Sequence, residues 1–204
     1  EIPTAEWAVV QDLESALFAA SAIGYPVALK GLSAEVSHKS DAGYIKLDLG
    51  NASQLQDAFV KLRTILHRDA PDSPAQRFMV QKMLPDGHEV IVGGRRDPSF
   101  GPVVMFGLGG IHVEVLGDVA LRLAPLSAEE AEQMVHEVRG IRLLRGARGA
   151  PSADLDAIIQ ALLAMSRLLI SCPEIIEIDV NPLLVFEEGA AAVDARAVTR
   201  RQKT

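Results

Sequence analysis

The sequence predicts an α+β (α/β) protein of two lobes, and three observations predict it. Helical patterns of period 3.6 recur between short period-two patterns along the chain. A Pro-rich turn at Pro71 to Pro74 and a run of short strand patterns after it divide the chain near residue 80. Hydrophobic residues make up 49% and charged residues 23%, the balance of a packed globular protein. At 204 residues the chain can bury its own core without external staples.

Each element follows from local pattern. Leu13, Ala16, Leu17, Ala20 and Ile23 share one face of a helix over 12–23, which Gly24 and Pro26 end. A buried strand follows over Val27 to Lys30, then the polar stretch Gly31 to Ala42. Gly43 to Leu49 alternates Ile45, Leu47 and Leu49 inward with Lys46 and Asp48 outward. Leu55, Phe59, Leu62, Ile65 and Leu66 form a second amphipathic helix, completing a first lobe of about residues 1–79. In the second lobe, about 80–204, Phe78 to Met83, Glu89 to Gly93 and Pro102 to Phe106 predict a meandering sheet. Ser127 with Glu130 predicts a capping box, and Ser152 or Asp154 starts a strongly apolar helix through Leu169. Ile176, Ile178 and Val180 alternate with Glu177, Asp179 and Asn181, and a turn at Glu187-Glu188-Gly189 leads into Ala190 to Asp194.

Charge and cysteine content narrow the function. A net charge of -7 has the wrong sign for a phosphate-backbone binder, which excludes nucleic acid as the expected partner. The longest charge-free run, Pro98 to Val113, is broken by Gly and Pro, so no membrane span is predicted. A single cysteine, Cys172, and the absence of an apolar leader fit a reducing cytoplasm, with Cys172 a small buried hydrophobe. The chain begins at Glu1 inside a patterned segment, as a piece of a longer multidomain protein would.

The C-terminal hairpin holds the most chemistry. Glu177, Asp179 and Asn181 fall on one face of its first strand. With Glu188-Gly189 as a two-residue turn, Asn181 pairs with Arg196 and Leu183 with Asp194, which makes Asn181 and Asp194 diagonal neighbours about 7–8 Å apart. Oxygen donors without His or Cys select a hard cation such as Mg²⁺, whose remaining positions go to water and phosphate, so a nucleotide is the implied ligand. The same acids also suit a solvated hairpin face. Lys30 ends an apolar strand, either as a solvated strand end or as a point charge for phosphate, and spacing alone favours the former.

Other motifs are weaker. The Ser37 to Gly43 stretch lacks P-loop spacing, and His112 replaces the third glycine of a dinucleotide fingerprint in Gly107 to His112. The strand Phe78 to Met83 can offer backbone groups to an adenine edge, with Glu89 available to ribose hydroxyls. The five histidines show no metal spacing, and Arg142, Arg145 and Arg148 read as a solvated basic loop.

Taken in order, several runs resemble one family: Tyr25-Pro26-Val27-Ala28-Leu29-Lys30, His38-Lys39-Ser40-Asp41-Ala42-Gly43, Gly87 to Gly93, Asp97 to Pro102, Phe106 to Gly110, and Glu177-Ile178-Asp179-Val180-Asn181-Pro182-Leu183. Together they are similar to the ATP-grasp domain of ADP-forming acyl-CoA synthetases, a relative of the nucleotide-binding part of succinyl-CoA synthetase. The resemblance implies two α+β lobes holding ATP or ADP between their sheets. It further implies that Lys30 contacts phosphates, Val80, Gln81, Lys82 and Met83 touch adenine, and Glu89 binds ribose. Asn181 and Asp194 would ligate Mg²⁺, with Asp179 lining the same site.

The reaction implied is acyl-CoA + ADP + phosphate giving carboxylate + CoA + ATP. The partner implied is a CoA-binding and ligase unit carrying the first phosphohistidine, and His38 is the candidate for a second phosphoryl carrier on this chain. Tyr44 departs from the family by standing where a second glycine follows Gly43, which would narrow the phosphate loop. An alternative is a regulatory nucleotide-binding module, as in synthetase-like proteins fused to an acetyltransferase.

Overall fold

The computed structural model describes residues 1–32, 43–69, 76–109, 117–146 and 151–200. The chain divides into two compact units, Ala5–Pro85 on one hand and Asp86–Thr204 with Glu1–Thr4 on the other. Among the described residues no helix is long and apolar enough to cross a membrane.

The first unit, Ala5–Pro85, contains β1 (Trp7–Val10), α1 (Leu13–Ile23), β2 (Val27–Leu32), β3 (Ile45–Leu49), α2 (Ala52–Asp69) and β4 (Arg77–Lys82). Its antiparallel sheet runs β1-β4-β2-β3. Asp12 starts α1 by accepting the Ser15 N–H at 2.8 Å, and Gly24 ends it with an N–H donated to Ala20 O. The two helices cover one face of the sheet, where Val27, Leu29, Phe59, Leu62, Leu66, Phe78 and Val80 form the core. Phe59 and Phe78 anchor it as a tilted ring pair with centroids 4.4 Å apart.

Two expectations change here. β2 does not stop at Lys30 but runs on to Leu32. In β3 the alternation fails at Leu47, which is 57% exposed instead of inward. Val27 pairs with Leu49 and Leu29 with Lys46, so Leu47 and Asp48 together oppose Ala28. This is a β-bulge, and Asp48 turns it with φ 55°.

The second unit contains β5 (His88–Asp97), β6 (Gly101–Leu108), β7 (Val119–Leu123), α3 (Ala128–Glu137), α4 (Ile141–Leu144), α5 (Leu155–Ser171), β8 (Ile175–Val185), β9 (Ala190–Ala192) and β10 (Ala195–Thr199). Its sheet runs β10-β8-β5-β6-β7, with β9 also paired to β8. Thr4 pairs with Ala192, which ties the start of the chain to this unit. The predicted capping box forms: Ser127 Oγ accepts the Glu130 N–H, and Glu130 accepts the Ser127 N–H. Helices α3 and α5 pack on one face of the sheet. Val90, Val92, Val104, Phe106, Met134, Ile158, Leu162 and Leu183 make that core, and half-buried Cys172 packs against it.

Candidate functional site

In the second unit the predicted acids gather where β8 meets β10. β8 is central, paired on one side with β5 and on the other with β9 and β10. Val90 pairs with Leu183 and Val92 with Val180, so Asn181 and Pro182 together oppose Ile91. Proline has no N–H for a central ladder, and a bulge is where a strand accommodates it. This bulge also explains why Val180 and Leu183, three residues apart, both enter the core.

The hairpin register differs from the expected one by two residues. Val180 pairs with Ala195, Asp179 with Arg196 and Leu183 with Ala192. Asn181 therefore lies directly across from Asp194 rather than diagonal to it, and its N–H donates to Asp194 O at 3.0 Å. The turn residues are Glu187 and Glu188, closed by a bond from Phe186 N–H to Gly189 O at 3.0 Å.

Charge accumulates at this place. Burial pushes the Asp179 carboxyl up from the usual range; Arg196 across the ladder pulls it back, and Glu177 and Asp194 push it further up. Three carboxylates against one guanidinium leave an excess of negative charge, which a cation would neutralise. Among the described residues no three His, Cys, Asp or Glu side chains stand close enough to hold a metal by themselves. The donor set here, two carboxylates with the exposed Asn181 amide, fits a hard ion that completes its shell with phosphate and water oxygens, as Mg²⁺ does.

Glu89 is exposed on β5, opposite Leu184. Gly109 presses on it: the Gly109 N–H donates to Glu89 O at 2.8 Å, and a Cβ at Gly109 would lie 2.8 Å from Glu89 Cβ. Part of the glycine cluster thus serves close packing beside Glu89.

In the first unit, Lys30 is only 4% exposed, paired in the ladder with Met79 and Ile45. Burial rules out the solvated strand end that spacing favoured. Its neighbour Leu29 belongs to the core, so by alternation Lys30 sits on the sheet face turned away from α1 and α2. Gln81, also 4% exposed, shares that face, opposite Ala28 and Trp7.

The rest of β4 is committed elsewhere. The Val80 side chain is in the core, and Lys82 Nζ donates to Gly24 O at 2.7 Å, holding the carbonyl end of α1. The Met83 N–H donates to Pro26 O at 3.1 Å. Tyr44 is 1% exposed, and its ring joins the first unit's core; the loop it was expected to narrow lies outside the described residues. Its hydroxyl donates to Asp69 Oδ2 at 2.8 Å. His38, the candidate phosphoryl carrier, lies outside the described residues.

Arg196, expected across from Asn181, stands instead across from Asp179 and joins this site. Its place two residues after Asp194 on the return strand is the signal for this, once the register is known.

Residues 1–198 match the ATP-grasp domain family. The chain is 46% identical over 197 residues to an ADP-forming acetate–CoA ligase I of Archaeoglobus fulgidus, covering 97% of this chain and 29% of that protein. It is 42% identical to the β subunit of an ADP-forming acetate–CoA ligase I of Pyrococcus furiosus, covering 97% of this chain and 85% of the subunit. Among solved structures, the acetyl-coenzyme A synthetase 1 of Ca. Korarchaeum cryptofilum in complex with coenzyme A and Ca-AMPCP superposes with a TM-score of 0.94 at 40% identity, over 98% of this chain and 87% of that one. Another structure of that synthetase holds Mg-AMPPCP, with its phosphohistidine segment pointing towards the nucleotide binding site.

Proposed function

The chain belongs to the ATP-grasp domain family, and on that footing we propose that it performs the nucleotide half of an ADP-forming acyl-CoA synthetase reaction: acyl-CoA + ADP + phosphate giving carboxylate + CoA + ATP. The observation that carries this reading is the direct opposition of Asn181 and Asp194 beside Asp179.

In this proposal Asn181, Asp194 and Asp179 hold Mg²⁺, and Glu89 accepts hydrogen bonds from the ribose hydroxyls. Gln81, Lys82 and Met83, with the backbone of Val80, border the adenine. Lys30 stands against the phosphates as a point charge held in place by its strand. Mg²⁺, when bound, neutralises charge on the transferred phosphoryl group, which is where catalysis of phosphoryl transfer mostly resides. The phosphoryl donor is a phosphohistidine on a separate CoA-binding and ligase unit, and His38 relays the group to ADP, a neutral imidazole being a competent acceptor. Carboxylate and CoA recognition belong to that partner.

The test mixes the chain with a CoA-binding unit carrying ³²P-labelled phosphohistidine, Mg²⁺ and ADP. Labelled ATP should form with the parent chain and fall to background without it. His38→Ala should bind Mg·ADP normally yet form no labelled ATP. Tight Mg·ADP binding by the parent with no transfer from a competent partner would instead support the regulatory module.

A further inference from the structure

The opposition of Asn181 and Asp194 depends on the register of the C-terminal hairpin. The return strand β9 is Ala190-Ala191-Ala192, facing Val185, Leu184 and Leu183. A slip of two residues keeps each side chain on its side of the sheet, but only Ala192 would then take another alanine's place, opposite Val185, while Val193 would face Leu184. That slip would carry Asp194 from Asn181 to the buried Leu183, about 7 Å along β8, which is the register a Glu188-Gly189 turn would give.

Contacts from outside the hairpin hold the observed register at both ends: the Ala192 N–H donates to Pro3 O at 2.8 Å, and Asp154 grips the turn. Asp154, the N-cap of α5, accepts the Ala157 N–H on Oδ1 at 2.9 Å and the Gly189 N–H on Oδ2 at 2.7 Å. Its own N–H donates to Phe186 O at 2.7 Å. Both ends of the turn, Phe186 and Gly189, are thus bonded to one residue, and Gly189 meets this bond with φ 81°, a conformation costly for other residues. The Gly189 N–H first, then the Ala157 N–H, hold the Asp154 carboxyl below its usual range, so it stays an anion at neutral pH.

We infer that Asp154 is a positioning residue for the metal site: it clamps the Phe186–Gly189 turn, selects the hairpin register, and so brings Asp194 opposite Asn181. The inference deepens the Mg²⁺ reading above and rests on it for its functional consequence.

Asp154→Asn tests the clamp apart from the helix cap. Asparagine caps helices about as well as aspartate, but its amide nitrogen has no lone pair for the Gly189 N–H. Two readouts apply to the full chain. In NMR, cross-strand contacts join Leu184 to Ala191 in the observed register and Phe186 to Ala191 in the slipped one. In calorimetry, the ratio of ADP affinities with and without Mg²⁺ reports the metal site.

Asp154→Asn should keep its unfolding midpoint near the parent's and lose protection of the Gly189 amide from hydrogen exchange. The 184–191 contacts should weaken in favour of 186–191, and the Mg²⁺-dependent gain in ADP affinity should drop about tenfold, the scale seen when a residue behind a metal ligand is removed. Asp154→Glu, whose longer arm can still reach Gly189, should recover part of it. Unchanged 184–191 pairing would overturn the clamp, and a slipped register with unchanged Mg²⁺ dependence would overturn its positioning role. A parent chain whose ADP affinity ignores Mg²⁺ would sink the metal reading alone, because the NMR contacts still decide the clamp.

Discussion

The two sheets hold their polar candidates in opposite ways. In the first unit Lys30 and Gln81 sit on the inner strands β2 and β4, each paired on both sides and each only 4% exposed. In the second, Asn181 and Asp194 lie at a bulge and beside the edge strand β10, exposed or half-buried. A side chain in a two-sided ladder has its place set by the many apolar contacts that fix the strands. A side chain on a bulged hairpin has its place set by a few polar contacts. The first arrangement resists single changes of hydrogen bonding, whereas the second is sensitive to them.

Substitutions can break or sharpen this contrast. The largest effect is expected from Asp194→Ala, which should weaken Mg·ADP binding by about 100-fold, at or beyond the upper range for residues that only support a metal ligand. The unfolding midpoint should barely move, and equal calorimetric affinities for variant and parent would refute the assignment. Next comes Lys30→Met, which conserves volume while removing the charge. It should cost about tenfold in ADP affinity, one hydrogen bond to a charged group, and leave adenosine affinity unchanged; parallel losses for both ligands would place Lys30 away from the phosphates.

Tyr44→Phe probes the first unit's packing and should lower the thermal midpoint by about 2–4 °C through loss of the bond to Asp69. The Arg68 guanidinium first, and the Tyr44 hydroxyl second, pull the Asp69 carboxyl from 3.8 to about 2. A carboxylate depressed in the folded state adds stability above its ordinary pKa and loses it as pH falls through the depressed one. The parent should therefore lose stability between pH 3.8 and about 2, and Tyr44→Phe should lose less over that span in acid titrations followed by circular dichroism.

The smallest effect belongs to Asp179→Asn. Its carboxyl is raised, chiefly by burial, so the ionised form costs stability at neutral pH. Removing it should raise the metal-free midpoint by about 1–2 °C while weakening Mg²⁺. Parent Mg²⁺ affinity should decline as pH falls through a value above the ordinary 3.8, because protons compete for this carboxyl, and the Asn variant should show a flatter profile.

Much of this was legible in sequence. The apolar faces of α1, α2 and α5 and the capping box before α3 follow from spacing, because a 3.6 period and a cap are local facts. The strand character of β8 and its run of acids were legible for the same reason. Short strands such as β1 and β7 were missed, since four or five residues carry too little pattern. Leu47 and the 181–182 step misled the alternation, because a bulge adds one residue that only the partner strand reveals. Lys30 looked like a strand end because Gly31 reads as a loop residue, although β2 continues through it.

Local pattern by itself determined which segments are helix or strand, which sides of them are apolar, and which residue types gather near Asn181. Tertiary structure alone decided that Asp194 faces Asn181 and that Lys30 is buried. The physical reason is that side-chain alternation is unchanged by a two-residue slip. The burial of Ala192 opposite Leu183 and bonds from distant parts of the chain, Pro3 to Ala192 and Asp154 to Gly189, tell one register from the other.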